Sequence, residues 1–98
     1  MHARVSVFEG PAEKIDDGVR IAEKEILPAV GQEAGFKGII FLGDRESGKT
    51  IAVTFWEDEQ AMRESEEHAN QLRQQAADAE EASIQSVERY EVLVSEMT

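Results

Sequence analysis

The chain contains no cysteine, which excludes disulfides, thiolate metal sites and cysteine nucleophiles and fits a reducing cytoplasm. Long apolar runs are also missing. Nothing approaches the roughly 20 residues that a membrane-spanning helix needs. The start, Met1-His2-Ala3-Arg4-Val5, passes directly into an alternating segment without an apolar leader, so neither a signal peptide nor a membrane partner is expected. Basic side chains are scarce, 10 against 21 acidic ones, for a formal charge of −11. Such a field repels phosphate backbones and makes nucleic acid a poor partner. Histidine occurs twice, at positions 2 and 68, so a dedicated protein metal site has too few nitrogen ligands.

The 98 residues suffice for one domain, spanning 1–98. Six elements fill it. Ala3, Val5 and Val7 alternate with Arg4, Ser6 and Phe8, a period of two that predicts a strand ended by Gly10-Pro11. Ile15, Val19, Ala22, Ile26 and Val30 recur at helical spacing on a first helix, and Pro28 predicts that it kinks or stops near Leu27. Ile39-Ile40-Phe41-Leu42 reads as a strand buried on both sides, and Lys49 to Trp56 as its hairpin partner. Asp58 suits the N-cap of a long helix to about Ala79, with Met62, Ser65, Ala69, Leu72 and Ala76 on its inner face. A last strand is expected over 86–94, with Glu96 to Thr98 fraying.

The order β-α-β-β-α-β is that of a ferredoxin-like α+β fold: a four-stranded antiparallel sheet with both helices on one face. Two helices cover one side only, yet Phe8, Phe41 or Leu42, Trp56 and Leu93 put apolar bulk on both. An uncovered patch of that kind predicts a homodimer formed through the open sheet face.

Gly43-Asp44-Arg45-Glu46-Ser47-Gly48-Lys49-Thr50 matches the phosphate-binding pattern G-x-x-x-x-G-K-T. A true phosphate loop leads into a helix whose N-terminal amides cradle the phosphates. Here Ile51 to Trp56 is an alternating strand, so the match reads as a hairpin turn. His68, at the border of the second helix's apolar stripe, is the candidate acid or base, with Glu64 one turn back to hold it. Trp56, Phe41 and Phe55 are the candidate walls of a substrate pocket. The acidic pairs Glu66-Glu67 and Glu80-Glu81 read as solvated helix surface.

Ile26-Leu27-Pro28-Ala29-Val30, then Ala34-Gly35-Phe36-Lys37-Gly38, and Phe55-Trp56-Glu57-Asp58-Glu59-Gln60-Ala61 together resemble the antibiotic biosynthesis monooxygenase-like proteins of the dimeric α/β-barrel group. The resemblance implies two protomers joined sheet to sheet and a cavity for a small aromatic, or haem, between each sheet and its helices. It implies a cofactor-independent monooxygenase, with His68 where several members carry a helix histidine; the alternative from another class is a non-catalytic dimeric module that binds a small ligand or merely assembles. The haem-cleaving branch uses an asparagine in the first strand and a tryptophan in the second helix. Val5, Ser6 and Val7, and Met62 to Ser65, stand there instead, so haem degradation ranks last and no cofactor is expected.

Overall fold

The computed structural model describes residues 1–97. Four strands, β1 (His2–Glu9), β2 (Phe36–Gly43), β3 (Lys49–Trp56) and β4 (Ser83–Glu91), form one antiparallel sheet in the order β2-β3-β1-β4. Helical segments connect β1 to β2 and β3 to β4. This is the ferredoxin-like α+β arrangement that the element order predicts.

The first connection opens with a 3-10 turn at Ala12–Lys14 and continues as α1 (Ile15–Ile21). Pro28 does not end it. A π-helical turn at Ala22–Ile26 widens the spiral, Leu27 N–H reaches back to the Ala22 carbonyl, and α2 (Leu27–Val30) runs on through the proline. An α-helical spiral would press the proline ring on the carbonyl four residues back, and the wider turn relieves that clash.

The second helical connection is two helices rather than one: α3 (Glu59–Glu64) and α4 (Glu66–Ala79), broken at Ser65. Asp58 caps α3 as expected, its carboxylate accepting from Ala61 N–H at 2.8 Å. The break lies where the buried Arg4 guanidinium takes the Met62 carbonyl at 2.6 Å. The last strand begins three residues earlier than the alternation suggests and stops at Glu91. Its partner β1 begins at His2, which pairs with Glu91, so beyond Val92 N–H on the Met1 carbonyl nothing remains to pair with. Leu93 and Val94 are left 83% and 89% exposed, as is Met97 in large part, while Thr98 lies outside the described residues.

Strand register sorts the two faces. Arg4, Ser6 and Phe8 share the helix side with Thr50, Ala52, Thr54 and Trp56. Val5, Val7, Ile51, Val53, Ile40 and Leu42 share the other side. Phe8 and Trp56 both lie under the helices and are fully buried, so the open face owes its apolar character to aliphatic residues and Phe55. The core is centred on Val30, Trp56 and Met62, with Phe36 meeting Trp56 edge-on at 5.6 Å and 72°. Gly35, just before Phe36, lies close against α3: its φ is +79°, and a Cβ there would lie 2.5 Å from that of Ala61.

The phosphate-loop look-alike is the β2–β3 hairpin turn. Gly48 holds φ +84°, packed where a Cβ would overlap the Gly10 carbonyl, and Asp44 N–H and Lys49 C=O close the turn at 2.9 Å. Glu80 departs from its expected place on a solvated surface. It is only 3% exposed, packed under the bare Cα of Gly18 and hydrogen-bonded by Thr50 Oγ1 at 3.0 Å.

Candidate functional site

The strand alternation that buries Trp56 also places Arg4, Ser6 and Thr54 beneath the helices, and the gap between sheet and helices is a cavity of about 70 Å³. Ile39, Ala52 and Trp56 form its sheet wall; Val30, Ala69 and Leu72 form its helix wall. Most of the lining is apolar. The exceptions converge on one edge, where Arg4, Ser6 and Arg73 meet Thr54 and Ser65, with Glu33 among the remaining lining groups. Apolar walls with a few fixed polar groups are the ordinary makeup of a small-molecule site.

Arg4 is the most constrained of these groups. Its Nη2 donates to the Met62 carbonyl at 2.6 Å, to Ser65 Oγ at 3.0 Å and to Glu66 Oε1 at 2.8 Å, while Nε reaches the same Glu66 oxygen at 3.0 Å. The guanidinium also lies 5.5 Å from the Trp56 ring centroid. Glu66 accepts further from Arg89, Nε at 2.8 Å and Nη2 at 2.7 Å. Arg89 first, and Arg4 with it, hold the Glu66 carboxyl down to about 2 against the opposing effect of burial. Glu66 is therefore no idle surface charge.

Arg73 stands differently. Its Nε donates to Ser6 Oγ at 3.1 Å and its Nη1 to Asn70 Oδ1 at 2.6 Å, both neutral acceptors. Burial first, and then the charge of Arg4, lower its affinity for its proton below the ordinary guanidinium value.

The residues singled out from sequence are dispersed around this cavity. Trp56 lines it, with its indole N–H bound to Thr54 Oγ1 at 3.0 Å. Phe41 pairs with Ala52 on the helix side of β2 but stays outside the lining. Phe55 pairs with Ala3 and points to the opposite face, because successive strand residues alternate, so it cannot wall this cavity. His68 is outside the lining as well. Its partner is Glu33, from the turn after α2, through Nδ1, rather than Glu64, which takes Gln60 instead. Arg4, Ser6 and Arg73 escape a motif search because they come from β1 and α4. The one signal was a charged residue at an inward position of a strand. Among the described residues no group of three His, Asp or Glu side chains is placed to hold a metal ion, and no helix is long and apolar enough to cross a membrane.

No protein-family model matches the chain. Two uncharacterized proteins of Mycobacterium tuberculosis (strain H37Rv) are similar in sequence. Rv2557 is 32% identical over 78 residues, 80% of this chain and 35% of that protein. Rv2558 is 34% identical over 77 residues, 79% and 33% respectively. The chain thus spans about a third of the length of the curated relatives it matches.

Solved structures agree over almost the whole chain. A monooxygenase from the gene ActVA-Orf6 of Streptomyces coelicolor, in complex with nanaomycin D, superposes with a TM-score of 0.71 at 16% identity, covering 99% of this chain and 91% of that one. The haem-degrader MhuD of M. tuberculosis, with two haems in its active site, gives 0.70 at 22%, covering 99% and 100%. A dimeric ferredoxin-like protein from an uncultured marine organism gives 0.70 at 9%, covering all of both chains. The fold of this chain is therefore the ferredoxin-like fold that these solved structures share.

Proposed function

We propose that the protein is a cofactor-independent monooxygenase acting on a small hydrophobic aromatic, working as a homodimer through its open sheet face. The cavity between sheet and helices carries this reading. It is apolar over most of its lining, walled by an aromatic ring and edged by fixed donors, the makeup that positions an aromatic with one polar substituent. The shared fold with a monooxygenase that binds nanaomycin D adds support.

The reaction would convert a phenol to a quinone: O₂ delivers one oxygen to the ring carbon that loses hydrogen, and the other leaves as water with the two hydrogens removed. A base must take the phenolic proton. Glu33 is the carboxylate in the lining, and His68 holds it from outside, so His68 would act as a positioning residue rather than touch substrate.

A second reading, a non-catalytic ligand-binding module, draws on the cavity's size. About 70 Å³ is less than the roughly 150 Å³ cavity known to accept benzene, so an aromatic must open the cavity before it can enter. Haem is less favoured still, being far larger, and His68 is turned to Glu33.

The test is oxygen uptake with an anthrone as probe, followed by growth of the quinone absorption band. The monooxygenase reading expects uptake that drops about a hundredfold in Glu33→Gln and shows a displaced pH profile in His68→Gln. Quenching of Trp56 fluorescence by the anthrone without uptake would instead establish the binding module.

A further inference from the structure

Two guanidinium groups, Arg4 and Arg89, share a single carboxylate, Glu66, while a third, Arg73, lines the polar edge of the cavity beside Arg4. Arg4 and Arg89 consume that carboxylate through four contacts. Arg73 makes no ion pair among the described residues; its partners are a serine hydroxyl and an asparagine amide, and its Nη2 has no hydrogen-bond partner there. Glu33, also in the lining, is taken up by His68. A half-buried guanidinium in no ion-pair contact, in a largely apolar cavity, is an unfavourable arrangement by itself. A ligand anion entering the cavity removes that cost.

We infer that the cavity selects an acidic aromatic, one whose carboxylate or phenolate oxygen meets Arg73 while its ring packs against Trp56. This rests on the ligand-binding reading above and gives it a substrate class. Ser6 fixes the Arg73 fork from the sheet and Asn70 fixes it from α4, so the free edge of the guanidinium is set before the ligand arrives. Arg4 does not take this part, because its charge is already paired with the Glu66 carboxylate. A neutral ligand of equal shape would leave the Arg73 charge uncompensated. The site therefore discriminates by charge as well as by fit.

Calorimetric titration of the whole chain with 2-naphthoate and with 2-naphthamide, of nearly the same shape but uncharged, tests this. The carboxylate should bind at least about tenfold more tightly than the amide. Arg73→Gln should bring the two within about twofold by weakening only the carboxylate, and Arg73→Lys should restore part of the difference. Titration with 2-naphthol above and below its ionisation separates the two anion sources: tighter binding of the ionised form extends the class to phenolates, and no tightening confines it to carboxylates. Equal affinities for naphthoate and naphthamide in the unmodified protein, or a preference that survives in Arg73→Gln, would overturn the inference while leaving the cavity intact. Absence of binding by all three probes would bring down the ligand-binding reading with it.

Discussion

Arg4 and Glu66 come from elements 62 residues apart in sequence and meet through one oxygen, Glu66 Oε1, which accepts from both Nε and Nη2 of the guanidinium. The contact couples β1 to the start of α4 and accompanies the break between α3 and α4. Arg4 binds the Met62 carbonyl just before that break and the Ser65 hydroxyl at it. A buried charge thus shapes the helix over the site.

Glu66→Gln should cost about 2–4 kcal/mol, since it leaves the buried Arg4 without its counter-charge. Urea unfolding measures it. The folded carboxyl titrates at about 2, below its ordinary 4.5, so the folded state binds fewer protons than the unfolded one in that window. Its stabilisation is full above 4.5 and fades as pH falls toward 2. The variant should show a flatter stability profile there; an unchanged slope would contradict the assignment.

Glu80 should behave in the opposite sense. Burial raises its carboxyl above the ordinary value, against the Thr50 hydrogen bond, and Oε2 has no partner. The protonated form is the one the fold favours, so its contribution is complete below 4.5 and is lost as pH rises through the folded value. Glu80→Gln should be more stable than the unmodified protein at pH 7, by about 1 kcal/mol, and the gain should shrink on acidification. Thermal unfolding at several pH values decides it, and a gain that grows toward low pH would reverse the assignment.

Val53 lies mid-strand on the open face, paired with Val5 and Ile40. A charge there would be buried unpaired in a sheet-to-sheet dimer but solvated in a monomer. Val53→Asp should shift sedimentation at micromolar concentration from dimer to monomer with little loss of helical circular dichroism. A sedimentation coefficient indifferent to this substitution would overturn the proposed sheet-to-sheet dimer.

The hairpin geometry around Gly48 leaves no helix N-terminus facing Lys49. Magnesium ATP should leave the melting temperature unchanged, and Lys49→Ala, at an exposed position, should alter stability by less than about 0.5 kcal/mol. A nucleotide-dependent rise in melting temperature that Lys49→Ala removes would restore the phosphate-loop reading.

The regular periodicities were legible from the chain alone. Alternation over 3–8 and 49–56 marked strands, Asp58 marked a helix start, and the Gly-rich segment at 43–48 marked a hairpin, because each rests on contacts among near neighbours. Trp56 was visible as a bulky aromatic at the end of a strand, but its place on the cavity side was not. Phe55 was not separable from it, since periodicity tells which residues share a face and not which face the helices cover. His68 was visible as a titratable group, but its partner Glu33 arrives from another element.

Local composition by itself determined the four strands and two helical connections, their order and the apolar character of both sheet faces, because backbone propensity and side-chain alternation act over a few residues. Only the tertiary structure decided that Glu66 is half-buried and Glu80 buried, that the first helical connection passes Pro28 by way of a π-helical turn, and that Arg73 lines a cavity without an ion-pair partner among the described residues. Those outcomes depend on desolvation and on partners brought together across the fold, such as Arg4 with Glu66 and Gly18 with Glu80. The energy of a buried charge is set by what surrounds it in space, and that information is absent from its neighbours along the chain.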